Sequence, residues 1–228
     1  MKFDASDFWD KKILQWEADK YSLGKEMPVK FDANSSLKSR MDLARSILKR
    51  VAPGRTIFEL GCGSGLLAEN CISFGAEKYT GIDISGVAIQ SAVQRLQNST
   101  ASSKVEFIRG SITEIPVIKA DICFSLGLLD WLRPDEITLL RKNVNCEFFF
   151  HTFSEKRNFS VSQLLHRVYV FLKYGYKNMS YVPKYHTADE IEKSLISDKT
   201  SRIRFLRRPE LSFGCVAYLL PHEIEELR

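Results

Sequence analysis

The chain has 228 residues, 44% of them apolar and 27% charged, with a formal net charge of +5, which is the size and balance of one compact soluble domain. Its longest fully apolar runs, Val168 to Leu172 and Cys215 to Leu220, fall far short of the roughly 20 residues that cross a bilayer, and Asp4, Asp7, Asp10, Glu17 and Asp19 interrupt any secretory leader. Five cysteines (Cys62, Cys71, Cys123, Cys146 and Cys215) lie far apart with no C-x-x-C pair, so reduced thiols in a cytoplasmic protein are expected, with neither a disulfide framework nor a zinc site.

In chain order, Asp7 to Tyr21 places Phe8, Ile13, Trp16 and Tyr21 at roughly helical spacing, and Leu23 to Asn34 reads as a loop. Ser35 or Ser36 is expected to cap a helix through Leu37, Met41, Ile47 and Leu48 that ends before Pro53-Gly54. Thr56 to Leu60 is a short apolar strand that runs straight into Gly61-Cys62-Gly63-Ser64-Gly65 and a helical pattern through Leu66 to Ile72. Lys78 to Asp83 reads as a second strand ending in an acid, and Ser85 caps the next helix. Further strands are expected at Val105 to Ile108, Asp121 to Ser125 and Cys146 to Phe150, with a helix at Asp135 to Asn143. This alternation predicts a doubly wound α/β fold with a mostly parallel sheet. After it come an aromatic helical stretch, Ser160 to Tyr174, and a helix capped by Thr187. Two strands, Arg202 to Leu206 and Phe213 to Leu220, are separated by too few residues for a crossover helix, so they must pair antiparallel. The chain thus reads as one domain: a helical extension over 1–34, a core over 35–154, an insertion over 155–187, and a last helix and hairpin over 188–228.

The charge surplus is local. Between Glu155 and Thr187 stand Lys156, Arg157, Arg167, Lys173, Lys177 and Lys184 against Glu155 alone. That concentration favours an anionic partner near the segment.

The glycine turn carries the chemistry. Glycines without side chains let backbone N–H groups approach a ligand closely. Here they are spaced G-x-G-x-G after Glu59-Leu60, and Asp83 lies 22 residues beyond Gly61. The dinucleotide fingerprint is G-x-G-x-x-G, and its third glycine would fall at Leu66, whose side chain opposes the close approach that a pyrophosphate needs. An acid at Glu59 repels phosphate and suits a cationic, amino-acid-like ligand, while Asp83 suits ribose hydroxyls. Together they describe a nucleoside carrying an amino acid.

The stretch from about Thr56 to Ser125 closely resembles the class I S-adenosylmethionine-dependent methyltransferases, whose first motif, an acid followed by G-x-G-x-G, is matched by Glu59 to Gly65 at every position. The resemblance implies a seven-stranded sheet with an antiparallel last strand, and S-adenosyl-L-methionine as cofactor. It also implies that Gly61, Cys62, Gly63 and Gly65 line the methionine part, that Asp83 holds the ribose and that Ile84 packs on the adenine. Ser111, with Ile112 beside it, stands where the family usually has an adenine-binding Asp. Arg40 is a candidate for the methionine carboxylate, and Leu126 lines the crevice after the fourth strand.

The acceptor is expected beyond the fourth and fifth strands, at Ser125 to Trp131 and His151 to Phe153. His151, read as a strand-end histidine, is the expected general base. Asp130 is expected to orient the acceptor, and Tyr21 of the extension to contact it; His166 and His186 are weaker candidates. No second acid for a metal is evident. Leu126 to Trp131 carries neither nucleic-acid signature of the family, so the expected acceptor is a small molecule, anionic or aromatic, methylated on oxygen or less favourably nitrogen. The segment 155–187 would cap it as a basic aromatic lid, or lie at a membrane interface. A noncatalytic binding protein and a nucleotide-dependent oxidoreductase are the competing readings.

Overall fold

The computed structural model describes residues 4–20, 33–157, 161–170, 172, 181–196 and 203–221. Seven strands, β1 (Thr56–Leu60), β2 (Lys78–Asp83), β3 (Val105–Arg109), β4 (Ile118–Leu126), β5 (Val144–Ser154), β6 (Arg204–Leu206) and β7 (Gly214–Leu219), form one sheet in the order β3-β2-β1-β4-β5-β7-β6. All pairings among β1 to β5 are parallel, and β7 runs antiparallel to both β5 and β6. The expected hairpin is therefore present. Strand order reverses beside β1, which has β2 on one side and β4 on the other, and this switch point opens a crevice beyond the carboxyl ends of those strands.

Helices α1 (Ala5–Asp10), α2 (Ile13–Lys20), α3 (Ala33–Val51), α4 (Ala68–Ser73), α5 (Gly86–Leu96), α6 (Pro134–Asn143), α7 (Val161–Val170) and α8 (Ala188–Leu195) complete the chain. Successive strand residues point to opposite faces, so Ile57 joins Ile47, Leu48, Tyr79 and Phe124 on one face, and Phe58 joins Ile82, Cys123, Ile137 and Ile191 on the other. Both faces are thus covered, which explains why the central strands lack polar alternation. Among the described residues, no helix is long and apolar enough to cross a membrane.

Local chemistry settles several boundaries. The Ser85 hydroxyl accepts from Ala88 N at the start of α5, and Thr187 forms a capping box with Glu190 at the start of α8. Elsewhere distant partners shift the expected boundaries. The helix expected over Asp7 to Tyr21 is broken around Lys11 and Lys12. Asp4 caps α1, whose Ser6 donates to Ile84 O and whose Asp10 accepts from Ser85 Oγ, drawing α1 onto the β2–α5 turn. Neither Ser35 nor Ser36 caps α3, which begins at Ala33; Ser36 sits inside it, donating to Leu211 O at 2.6 Å. Strands β4 and β5 outrun their expected ranges at both ends because their polar outer residues find partners. Thr152 Oγ1 accepts from Gly127 N at 2.9 Å, and Ser154 Oγ donates to Asp130 at 2.8 Å.

The longer β5 changes the standing of His151. It is not at the strand end but inside the ladder opposite Ser125 and Ala217, only 2% exposed, with Nδ1 2.9 Å from Ser125 Oγ. Burial lowers its pKa to about 3, so the imidazole is neutral and shielded from any acceptor outside the sheet. A histidine whose folded pKa lies below its unfolded value, about 6.5, contributes stability that is fully present above that value and is lost as pH falls toward the folded one. Stability should therefore decline from about pH 6.5 toward about 3 by up to about 1.4 kcal/mol per pH unit from this residue. His151→Gln should remove that component, as urea unfolding across the same range would measure.

Candidate active site

The turn after β1 is built by backbone geometry. Gly61, Gly63 and Gly65 all have left-handed φ, 68°, 53° and 69°, which costs other residues strain. Gly65 is also fixed by packing, since a Cβ there would lie 2.6 Å from the Phe107 ring and 3.1 Å from the Ala92 methyl. Gly61 N and Cys62 N donate to Ile82 O at 2.8 and 3.0 Å, and Gly63 N donates to Asp83 Oδ2 at 2.9 Å. The ends of β1 and β2 are thereby tied into one rim of the crevice.

Three carboxyl groups are buried around this turn. Asp83 takes Ser85 N on its other oxygen at 2.9 Å, and burial nevertheless raises its pKa. Glu59, 5% exposed, accepts from the Tyr79 hydroxyl, and burial pushes its pKa up to about 8, with Glu17 and Asp83 adding to the rise. The third is Glu17 of α2, which was not expected here. Its carboxylate takes Ser64 N at 2.9 Å and the Ser64 hydroxyl, and burial raises it as well. A Cβ on Gly63 would stand 2.1 Å from Glu17 Oε1, so the acid rests on the bare backbone. Arg95 donates to Ser64 O and Oγ from behind, both at 3.2 Å. The one sign of Glu17 in the sequence is its position: it shares a helical face with Ile13 and Trp16, an acid within an apolar stripe.

Ile13, Trp16, Glu17, Met41, Glu59, Gly61, Cys62, Gly63, Leu66 and Leu126 line a cavity of about 50 Å³. That is room for water rather than for a nucleoside, because small-molecule pockets run to roughly 300–1,000 Å³. Helix α2 closes the crevice. Leu66 stands in the lining where a dinucleotide site would need glycine.

The other expected residues fall in three groups. Ile84 is half-buried beside Asp83, its carbonyl taken by Ser6; Ser111 shares a 2.7 Å hydroxyl contact with Thr113, and Ile112 is buried in the core. Arg40 and Asp130 meet one another rather than a ligand. Arg40 Nη1 is 3.6 Å from Asp130 Oδ2, Nη2 donates to Ser154 Oγ at 3.2 Å, and the guanidinium is absent from the cavity lining. Burial raises the Asp130 pKa, opposed by Arg40 and by the two bonds from Ser154. The buried His186 places Nε2 2.9 Å from Leu129 O, away from the crevice. Tyr21 and the His166 side chain lie outside the described residues, as do 158–160, 171 and 173–180 of the expected lid. Among the described residues, no group of three His, Cys, Asp or Glu side chains is arranged to hold a metal ion.

Beside the cavity, three segments contribute an aromatic cluster that sequence spacing does not reveal. Trp9 packs edge-on against Trp16 and Trp131 at 6.2 and 4.8 Å, Phe8 lies 5.1 Å from Tyr181, and Trp9 Nε1 donates to the Tyr181 hydroxyl at 2.9 Å. Burial raises the Tyr181 pKa to about 12, so it stays a neutral phenol.

Residues 57–146 match the family described as "Methyltransferase domain". Among curated proteins, the ribosomal protein L11 methyltransferase of Alkaliphilus metalliredigens is 28% identical over 134 residues, 57% of this chain and 40% of that protein. The ribosomal protein arginine N-methyltransferase rmt3 of Schizosaccharomyces pombe is 37% identical over 79 residues, 34% of this chain and 14% of that protein. The chain thus spans less than half the length of these relatives. Similar solved folds include the magnesium protoporphyrin IX methyltransferase of Synechocystis PCC 6803 with bound S-adenosylhomocysteine, with a TM-score of 0.67 and 17% identity over 93% of this chain and 96% of that one. The mitomycin 7-O-methyltransferase MmcR has a TM-score of 0.62 and 13% identity over 94% of this chain and 60% of that one. Residues 57–146 thus match a methyltransferase domain, and the glycine turn, the distal acid and the seven-stranded sheet give the chain the fold of these solved methyltransferases.

Proposed function

We propose that this chain transfers a methyl group from S-adenosyl-L-methionine to an oxygen, or less favourably a nitrogen, of a small molecule that is anionic or aromatic. The observation that carries the reading is the glycine turn flanked by Glu59 and Asp83, two buried acids whose pKa values are raised chiefly by burial, with neighbouring carboxyl groups adding to the rise, so that a cation would help offset their desolvation. Such a site favours a cation and disfavours a pyrophosphate. The cofactor supplies an electrophilic methyl group on a sulfonium centre.

In this reading Glu59 takes the ammonium end, the backbone of Gly61 to Gly63 cradles the methionine part, and Asp83 accepts from the ribose hydroxyls with Ile84 against the adenine. Trp16, on the wall of the same cavity, offers a ring face to the positive centre. Because α2 leaves only about 50 Å³, entry requires α1 and α2 to lift, exchanging the Glu17–Ser64 contacts for contacts with the ligand. The aromatic cluster of Phe8, Trp9, Trp131 and Tyr181 then borders the acceptor side, which supports a planar acceptor. The named substrates of the porphyrin and mitomycin neighbours agree with that class. Alignment of donor and acceptor, rather than proton removal by the shielded His151, supplies the acceleration. A cytoplasmic location belongs to the same reading and is supported by five free cysteines.

The direct test is calorimetric titration with S-adenosylhomocysteine, followed by a screen of anionic and aromatic metabolites, and of ribosomal protein, with labelled methyl donor. Asp83→Asn keeps an acceptor oxygen but loses the charge-assisted bonds, and should weaken binding at least about tenfold. Unchanged affinity would remove Asp83 from the site, and tight binding without turnover on any acceptor would favour a noncatalytic role.

Glu59 makes a second prediction. With its pKa near 8 the carboxyl is mostly protonated at about pH 7, and a cationic ligand pulls the proton off. Affinity should therefore rise by up to about tenfold per pH unit until about pH 8 and then level, with proton release detectable as a dependence of binding heat on buffer. Glu59→Gln should abolish the release.

A further inference from the structure

Helix α7 is built inside out. Its one deeply buried described side chain is polar: Gln163, 3% exposed, donates to Glu155 O at 2.7 Å and accepts from Arg157 N at 2.8 Å, which seats the helix on the segment that follows β5. Its described apolar residues face water instead. Val161, Leu164, Leu165 and Val168 are 71%, 60%, 65% and 49% exposed, and Leu172 just beyond is 66% exposed. Positions 161, 164, 165, 168 and 172 follow the three- and four-residue spacing of a single helical face. Singly exposed leucines are ordinary, but a continuous apolar stripe on a helix marks a contact surface.

The charge around the stripe selects its occupant. From Lys156 to His186 the sequence holds six bases, Lys156, Arg157, Arg167, Lys173, Lys177 and Lys184, and no acid. The acid that precedes them, Glu155, is already held by Arg207, Nε to Oε2 at 2.7 Å. Lys156 and Arg157 are exposed at the foot of α7. A second copy docked on this face would bring the same basic stretch against itself, whereas an anionic lipid surface complements it. We propose that α7 is an interfacial helix that lays its Val161–Leu164–Leu165–Val168–Leu172 stripe into the headgroup region of an anionic membrane, with the exposed Lys156 and Arg157 at its foot on the lipid phosphates and carboxylates. Helix α7 follows β5 on the carboxyl side of the sheet, the side on which the crevice lies. The docking itself does not rest on the methyltransferase reading.

Co-sedimentation of the full chain with phosphatidylcholine vesicles, with and without phosphatidylserine, tests this in the absence of cofactor. Binding should need phosphatidylserine, fall as salt is raised, and drop at least about tenfold in the Leu164→Ser/Leu165→Ser variant, whose unfolding midpoint and S-adenosylhomocysteine affinity should stay those of the unmodified chain. Absence of binding to either vesicle, binding indifferent to phosphatidylserine and salt, or binding that survives the double substitution would overturn the proposal. So would a dimer in solution that the double substitution dissociates in a chain that ignores vesicles. The salt series uses the unmodified chain and decides the matter even if the variant folds poorly. Failure here leaves the cofactor titration untouched, because no vesicle enters that experiment.

Discussion

Burying a carboxylate away from water costs several kcal/mol unless donors or cations replace its hydration, and the crevice of this protein gathers three of them around one turn. Each is given its own donors: Asp83 has Gly63 N and Ser85 N, Glu59 has the Tyr79 hydroxyl, and Glu17 has Ser64 N and Oγ. These bonds do not fully offset the desolvation, since burial is the largest cause of the upward shift at all three. The residual deficit is what a positive charge would offset under the proposed function. It also dictates the surrounding construction. The bonds to Asp83 hold the end of β1 against the end of β2, and left-handed glycines are needed because the N–H groups must turn inward at consecutive steps.

What the sequence made legible was the chemistry that completes itself within a few residues. The ends of β1 and β2, the Ser85 and Thr187 caps, the terminal hairpin and the glycine turn all depend on near neighbours or on a spacing of about 20 residues. The misreadings share the opposite property. Ser36 looked like a cap because its partner, Leu211 O, is 175 residues away. Asp130 looked like a free acid at a crevice because the 24-residue return to Ser154, and the pairing with Arg40, are set by the sheet and not by any motif. His151 looked like a strand end because an apolar run stops at Phe150; Thr152 and Ser154 continue the strand only because Gly127 and Asp130 satisfy them. Glu17 carried a faint signal and no motif at all.

The Arg40–Asp130 pair shows why a buried ion pair is read better as a constraint on geometry than as a source of stability. Asp130 is saturated by Arg40 and by the two Ser154 donors, whereas Arg40 Nε and Nη1 are buried without hydrogen-bond partners among the described residues. The guanidinium is hemmed in by Gly214, where a Cβ would approach Nε to 2.7 Å, and lies near Gly127, where one would stand 3.9 Å from Nη1. Arg40 therefore sets where the ends of β4, β5 and β7 lie relative to α3. A pair that cost nothing to rearrange would let that corner drift, and with it Trp131 and the aromatic cluster it anchors.

The charge of the molecule is divided in a way that its modest net value hides. Acids gather at the floor of the crevice, where Glu17, Glu59 and Asp83 surround the glycine turn, while bases dominate the sequence from 156 to 186, which leaves the sheet at the end of β5 on the same carboxyl side. Under the proposed function these opposite charges would sort two reactants by sign, the basic stretch attracting an anion from solution or from a lipid surface and the acidic turn refusing it in favour of a cation. Trp9, Trp16, Trp131 and Tyr181 pack against one another on the side of the acidic turn and give it a surface of low polarity. Under the proposed function a methyl group on a sulfonium and a nucleophile on an anionic partner would meet beside these rings, where alignment does most of the work.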